Sequence, residues 1–129
     1  MNPNISTSFV ATTDAAAAEK AICITPVDQD HMSGTGGPVV VEGQINVTPG
    51  TTTSAVVVKI RQGSGTGGTT VKSMTHTLAA TATANIAFRV VDLAPIAGGQ
   101  YTLTLTQTAG AAAGTVNDAV VIARAYPQG

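Results

Sequence analysis

Residues 61–72 read RQGSGTGGTTVK, in which Gly63, Gly65 and Gly68 keep the spacing G-x-G-x-x-G. Glycines so spaced let a backbone approach a pyrophosphate, provided that a strand leads in and a helix N-terminus receives the phosphates. The strand is present: Val56, Val58 and Ile60 share one side, with Lys59 and Arg61 on the other. The helix is missing, because Thr69–Thr77 is β-branched and alternating and reads as a second strand. The pattern G-x-x-x-x-G-K-[ST] fails as well, since no Lys follows Gly68. A glycine-rich segment between two strands is a hairpin loop, and that is the reading taken here.

Other reactive residues are few. Asp28, Asp30 and His31 crowd the segment DQDHMSGTGG, and carboxylates with an imidazole can hold a metal. Nothing supplies the later ligands of a calcium loop, so a solvated polar loop is expected. His76 shares a strand face with Thr70, Lys72 and Met74 and reads as a surface or interface residue. Cys23, the one cysteine, stands between Ile22 and Ile24 as a buried, inert thiol; it allows no intrachain disulfide. No Ser occupies a nucleophile elbow. The carboxylates are Asp14, Glu19, Asp28, Asp30, Glu42, Asp92 and Asp118 and no others, and nothing in their spacing pairs two for acid–base work. The expectation is no enzyme, no cofactor and no metal.

Composition narrows the partners. Charged residues are 10% of the chain against about a quarter in soluble domains. With a net charge of −1 and no basic stretch, nucleic acid is excluded as a partner. No run is long enough for a membrane-spanning helix. MNPNISTSFVATTD has neither a basic start nor a sustained apolar run, so it is not read as a secretory signal, and synthesis in a cytoplasm is expected. Aromatics are 3% and Trp is absent, so the core must be built from Val, Ile, Leu and Ala. Such side chains gain less burial each than rings do, and help from self-association is expected.

The elements that must position these residues are strands. Blocks fall at Glu19–Val27, Pro38–Val47, Ser54–Gln62, Thr69–Leu78, Thr83–Val91, Gln100–Thr108 and Thr115–Tyr126, separated by turn residues. In the second block Val39, Val41, Ile45 and Val47 share a face. Tyr101, Leu103 and Leu105 alternate with Thr102, Thr104 and Thr106, which reads as a strand with hydroxyls toward water or a neighbouring chain. The last block carries Val116, Val120, Ile122 and Tyr126 on one side and Ala119, Val121, Ala123 and Ala125 on the other. Val121, Ala123 and Ala125 are the candidate oligomer interface, because small residues allow close approach. Seven or eight short strands with no long helix predict an all-β antiparallel sandwich, jelly-roll-like, over residues 19–129. Residues 1–18 have no clear period. They read either as a frayed terminus or as an extended N-terminal arm that orders against a partner through Ile5, Phe9 and Val10.

The C-terminal third carries a family-like pattern. Gly99-Gln100-Tyr101-Thr102-Leu103-Thr104-Leu105 runs into Ala109-Gly110-Ala111-Ala112-Ala113-Gly114-Thr115-Val116-Asn117-Asp118-Ala119-Val120. This resembles the closing hairpin of small jelly-roll β-sandwiches on virion surfaces, the bacteriophage head-decoration (cement) proteins and head fibres. The resemblance covers roughly residues 95–126, about a quarter of the chain, and hairpins of this kind recur across many β folds. It implies a homotrimer on the virion surface, bound to the viral major capsid protein through the arm and stabilising the assembled capsid. The alternatives are a receptor- or glycan-binding fibre module and a self-assembling shell or filament subunit.

Overall fold

The computed structural model describes residues 4–10, 13–15, 19–26, 38–95, 100–107 and 114–125. These form nine strands: β1 Asn4–Val10, β2 Thr13–Ala15, β3 Lys20–Pro26, β4 Val39–Thr48, β5 Ser54–Gln62, β6 Thr70–Leu78, β7 Ala84–Asp92, β8 Gln100–Gln107 and β9 Gly114–Ala125. One sheet has the order β1-β9-β4-β7, with β2 also on β9; the other has the order β3-β8-β5-β6. Every pairing is antiparallel. The first strand pairs with the last, β3 with β8, β4 with β7 and β5 with β6, which is the nested pairing of a jelly roll. The seven blocks read between residues 19 and 129 are β3 to β9.

Alternation explains why the inner faces meet. Val39, Val41, Ile45 and Val47 of β4, with Val56, Val58 and Ile60 of β5, are fully buried, and their neighbours at odd offsets point to the other face, where Val40 is nonetheless buried. Leu103, Leu105 and Tyr101 of β8 continue the inner face of the same sheet beside β5. Among the described residues two rings reach this core, Phe88 and Tyr101. Gly43 of β4 stands opposite Phe88 of β7. A Cβ at Gly43 would lie 2.0 Å from the Val120 carbonyl oxygen and 3.0 Å from the Phe88 ring. The absent side chain thus gives the ring its place in a core made mostly of branched aliphatics.

Three expectations need correction. On β9 the assignment of faces is reversed at its C-terminal half: Val116, Ala119, Val121 and Ala123 are all fully buried, while Val120 and Ile122 face outward. The cause is a bulge. Asn46 pairs with Asp118 but Val47 pairs with Val116, so Asn117 is an extra residue and the parity changes there. Val121 and Ala123 therefore belong to the core and are not an oligomer interface; Ala125 ends the strand opposite Val39. Secondly, β8 is not half-exposed: Thr102 and Thr104 are as buried as Leu103 and Leu105. Thirdly, residues 4–10 and 13–15, within the stretch read as an arm, run as strands along β9. Asn4 stands opposite Ala125 and Val10 opposite Ala119. The physical reason is the edge of β9, whose backbone donors and acceptors need a partner strand.

Candidate functional site

The glycine loop joins β5 to β6 and folds back onto the outer face of the second sheet. Gly63 and Gly65 take φ values of 91° and 105°, a region that side chains other than glycine's enter at a cost. The Gln62 amide donates to the Thr69 carbonyl at 2.9 Å and closes the neck of the hairpin. The Gly63 amide donates to the Gln100 carbonyl at 2.7 Å. The Thr102 hydroxyl donates to the Gly63 carbonyl at 2.6 Å and accepts from the Gly65 amide at 3.0 Å. A strand follows instead of a helix, and these two amides already serve the chain's own oxygens. The loop is a pinned hairpin.

Beside it lies an ion pair. Arg61 donates through Nε and Nη2 to the two carboxylate oxygens of Glu19, at 2.6 and 2.8 Å, and through Nη1 to the Gly68 carbonyl at 2.7 Å. The Thr104 hydroxyl donates to Glu19 at 2.5 Å. The Arg61 guanidinium, more than any other group, holds the Glu19 carboxyl down at about 2. The same bond raises the pKa of Arg61. Such a fork joins the start of β3, the end of β5 and the middle of β8, and it explains why Thr102 and Thr104 are covered.

A second polar knot closes the end of the sandwich. Asp92 is buried and accepts from the Tyr101 hydroxyl at 2.7 Å, from Gln62 Nε2 at 2.7 Å and from the Ala94 amide at 3.0 Å. Gln62 also donates to the Ala94 carbonyl at 3.0 Å. Burial, with the neighbouring Asp92 carboxylate, raises the Tyr101 pKa far above that of a free phenol, so the ring stays a donor. Three donors around one carboxylate satisfy a charge that would be costly to bury alone.

The outer face of the first sheet is different in kind. Residues opposite one another across antiparallel strands share a face, so the register defines its rows. They are Val91–Val40–Arg124, Arg89–Glu42–Ile122, Ala87–Gln44–Val120 and Asn85–Asn46–Asp118, read from β7 through β4 to β9. Arg124 Nη1 donates to Glu42 Oε1, and Arg89 Nε lies 3.8 Å from Glu42 Oε2 with its side chain 66% exposed. Asn85 donates to Gln44 at 3.0 Å, and Asn117 to Asn46 at 2.7 Å. Between the charged and amide rows runs an open groove of about 330 Å³, with Gly43 and Phe88 below and Ala87, Val120 and Ile122 among its walls.

The residues singled out in the sequence fall as follows. Cys23 is buried, and burial pushes its thiol up to about 12. His76 is exposed on β6 opposite Val56. Asp28, Asp30 and His31 lie outside the described residues. Ile5, Phe9 and Val10 are in β1, opposite Arg124, Val120 and Ala119. Among the described residues no three His, Cys, Asp or Glu side chains gather where they could hold a metal ion. Sequence reading missed the groove and the Arg89–Glu42–Arg124 cluster. Their signal was there in the outward parity of Glu42 and Arg89, but the register that joins them is a tertiary fact.

No protein-family model matches the chain, and no curated protein matches it. Solved structures do. The chain superposes on the infectious bursal disease virus protein from a T13 viral particle crystal structure with a TM-score of 0.67 at 12% identity, over 99% of this chain and 33% of that one. It thus spans about a third of the viral protein's length. Eiger TNF from S. frugiperda aligns with a TM-score of 0.57 at 12% identity, over 100% of this chain and 96% of that one. A subunit of Bacillus endospore appendages, described as disulfide-linked pili, is 21% identical over 100% of this chain and 93% of its own, with a TM-score of 0.41. At these identities the likeness to the viral protein and to the TNF is one of fold.

Proposed function

We propose that this chain is a structural β-sandwich of a viral particle, one that binds the outside of an assembled shell and stabilises it. The observation that carries the reading is the jelly-roll order, superposed over nearly the whole chain on a viral particle protein. The internal use of Glu19, Arg61, Asp92 and Tyr101 also supports it, since these groups hold strands and loops together. The mechanism is mass action: a protein that binds only the assembled state stabilises that state. The shell's major capsid protein is the partner. The contact includes β1, an edge strand of the first sheet carrying Ile5, Phe9 and Val10. The homotrimer expected through Val121, Ala123 and Ala125 has lost two of these residues to the core, so self-association has to use another surface. Adding the purified chain to shells that lack it is expected to raise their melting temperature. Shells that neither bind it nor melt later overturn the proposal. Fibres or closed particles formed by the pure chain, seen in negative stain, would favour a self-assembling subunit instead.

A further inference from the structure

We infer that the outer face of the first sheet is a self-complementary surface on which two copies of this chain pack face to face about a two-fold axis near Gly43. The argument begins with the rows. Rotation about an axis lying in the interface and perpendicular to β4, at Gly43, lays β9 over the partner's β9 with its direction reversed. The row containing Val40 then meets the partner's row containing Asn46, and the row containing Glu42 meets the row containing Gln44. This places Arg124 of each copy against Asp118 of the other, twice by symmetry. Asp118 is partly exposed and makes no ion pair among the described residues, so it is available for this one. Arg89 and Arg124 outnumber their shared partner Glu42, so the end of the face that Asp118 meets carries excess positive charge.

The apolar residues obey the same symmetry. Val120 and Ile122 lie on either side of the axis, so each Ile122 meets the partner's Val120 beside the groove. The open groove between the Glu42 and Gln44 rows lies at the axis, which lets the two sheets approach to the usual spacing of about 10 Å. Four strands of this length offer a face of roughly 600 Å² per copy, near the lower limit for a specific interface. The expected dimer is therefore a reversible one. It does not depend on a role in a virion.

The test is light scattering of the purified chain from about 1 μM to about 1 mM, the range such an area supports. Wild type is expected to move from monomer to dimer and no further. Ile122→Asp is expected to weaken the dimer at least tenfold while circular dichroism shows the fold intact. Asp118→Arg and Arg124→Asp each place like charges in both symmetric contacts and are expected to be monomeric. Mixed in equal amounts, they restore both pairs and should dimerise again. A wild type that stays monomeric across the range overturns the inference. So does a dimer that tolerates Ile122→Asp, or a mixture that fails to recover when each variant is folded. A trimer or an open polymer also overturns it. Because the assay needs no shell, its failure leaves the particle proposal untouched, and the reverse holds too.

Discussion

At the scale of single residues, the chain's few ionised groups serve as fasteners, and their removal has distinct signatures. Glu19 titrates near 2 in the folded protein against 4.5 ordinarily. A carboxyl whose pKa is depressed by folding stabilises the native state above its unfolded pKa, and that contribution is lost as pH falls through the folded value. The melting temperature of wild type relative to Glu19→Gln is thus expected to be highest and flat above about pH 5. It should decline between pH 4.5 and about pH 2. A difference independent of pH would show that the ion pair is not the source. Tyr101→Phe removes one of three donors to a buried carboxylate, which is expected to cost about 1–3 kcal/mol in denaturant unfolding. A loss below about 0.5 kcal/mol would mean that water replaces the phenol.

At the scale of the element, β9 is the most instructive strand. Its composition, apolar on both sides, was readable, and so was its strand character. Which side faces inward was not. Period two carried forward from Val116 places Val120 and Ile122 inside, but the extra residue at Asn117 reverses the parity. A bulge leaves no mark in hydrophobicity, because it depends on the register with a partner strand. Neighbouring substitutions on this strand should therefore behave oppositely. Ala123→Asp buries a charge without a partner and is expected to abolish folding, a loss of several kcal/mol seen by circular dichroism. Ile122→Asp, one residue earlier, should melt within a few degrees of wild type. Gly43→Ala sets a Cβ against the Val120 carbonyl and is expected to cost about 1–3 kcal/mol. If it melts like wild type, β4 and β9 can separate slightly without loss.

For the molecule as a whole, the sandwich class was legible because β5 and β7 alternate cleanly and turn residues separate the strands. The strand order was not, since nothing local says that the first strand pairs with the last. The glycine loop was legible as a hairpin for the same reason that it fails as a phosphate site: a strand follows it. The stretch at residues 4–15 was the hardest part, because edge strands need little hydrophobicity when the backbone ladder holds them. Deleting residues 1–18 strips this ladder from β9. The truncated chain is expected to melt at a lower temperature and to aggregate through the bared edge, as followed by scattering during heating. A truncated protein as stable and soluble as the full chain would show that β1 and β2 only rest on the sandwich.

The place of β9 in the chain has a consequence for the order of events in folding. It is the last of the nine strands, yet it lies inside its sheet and bridges β1 and β4. During synthesis β1 and the edge of β4 that pairs with β9 stay without their partner strand until β9 leaves the ribosome. Pairings between the two ends of a chain form slowly, because a long loop must close before any contact rewards it. The interval before β9 arrives is the one in which the nascent sheets are open to wrong partners. A charge-poor, threonine-rich sequence is therefore most exposed to wrong partners before β9 has emerged.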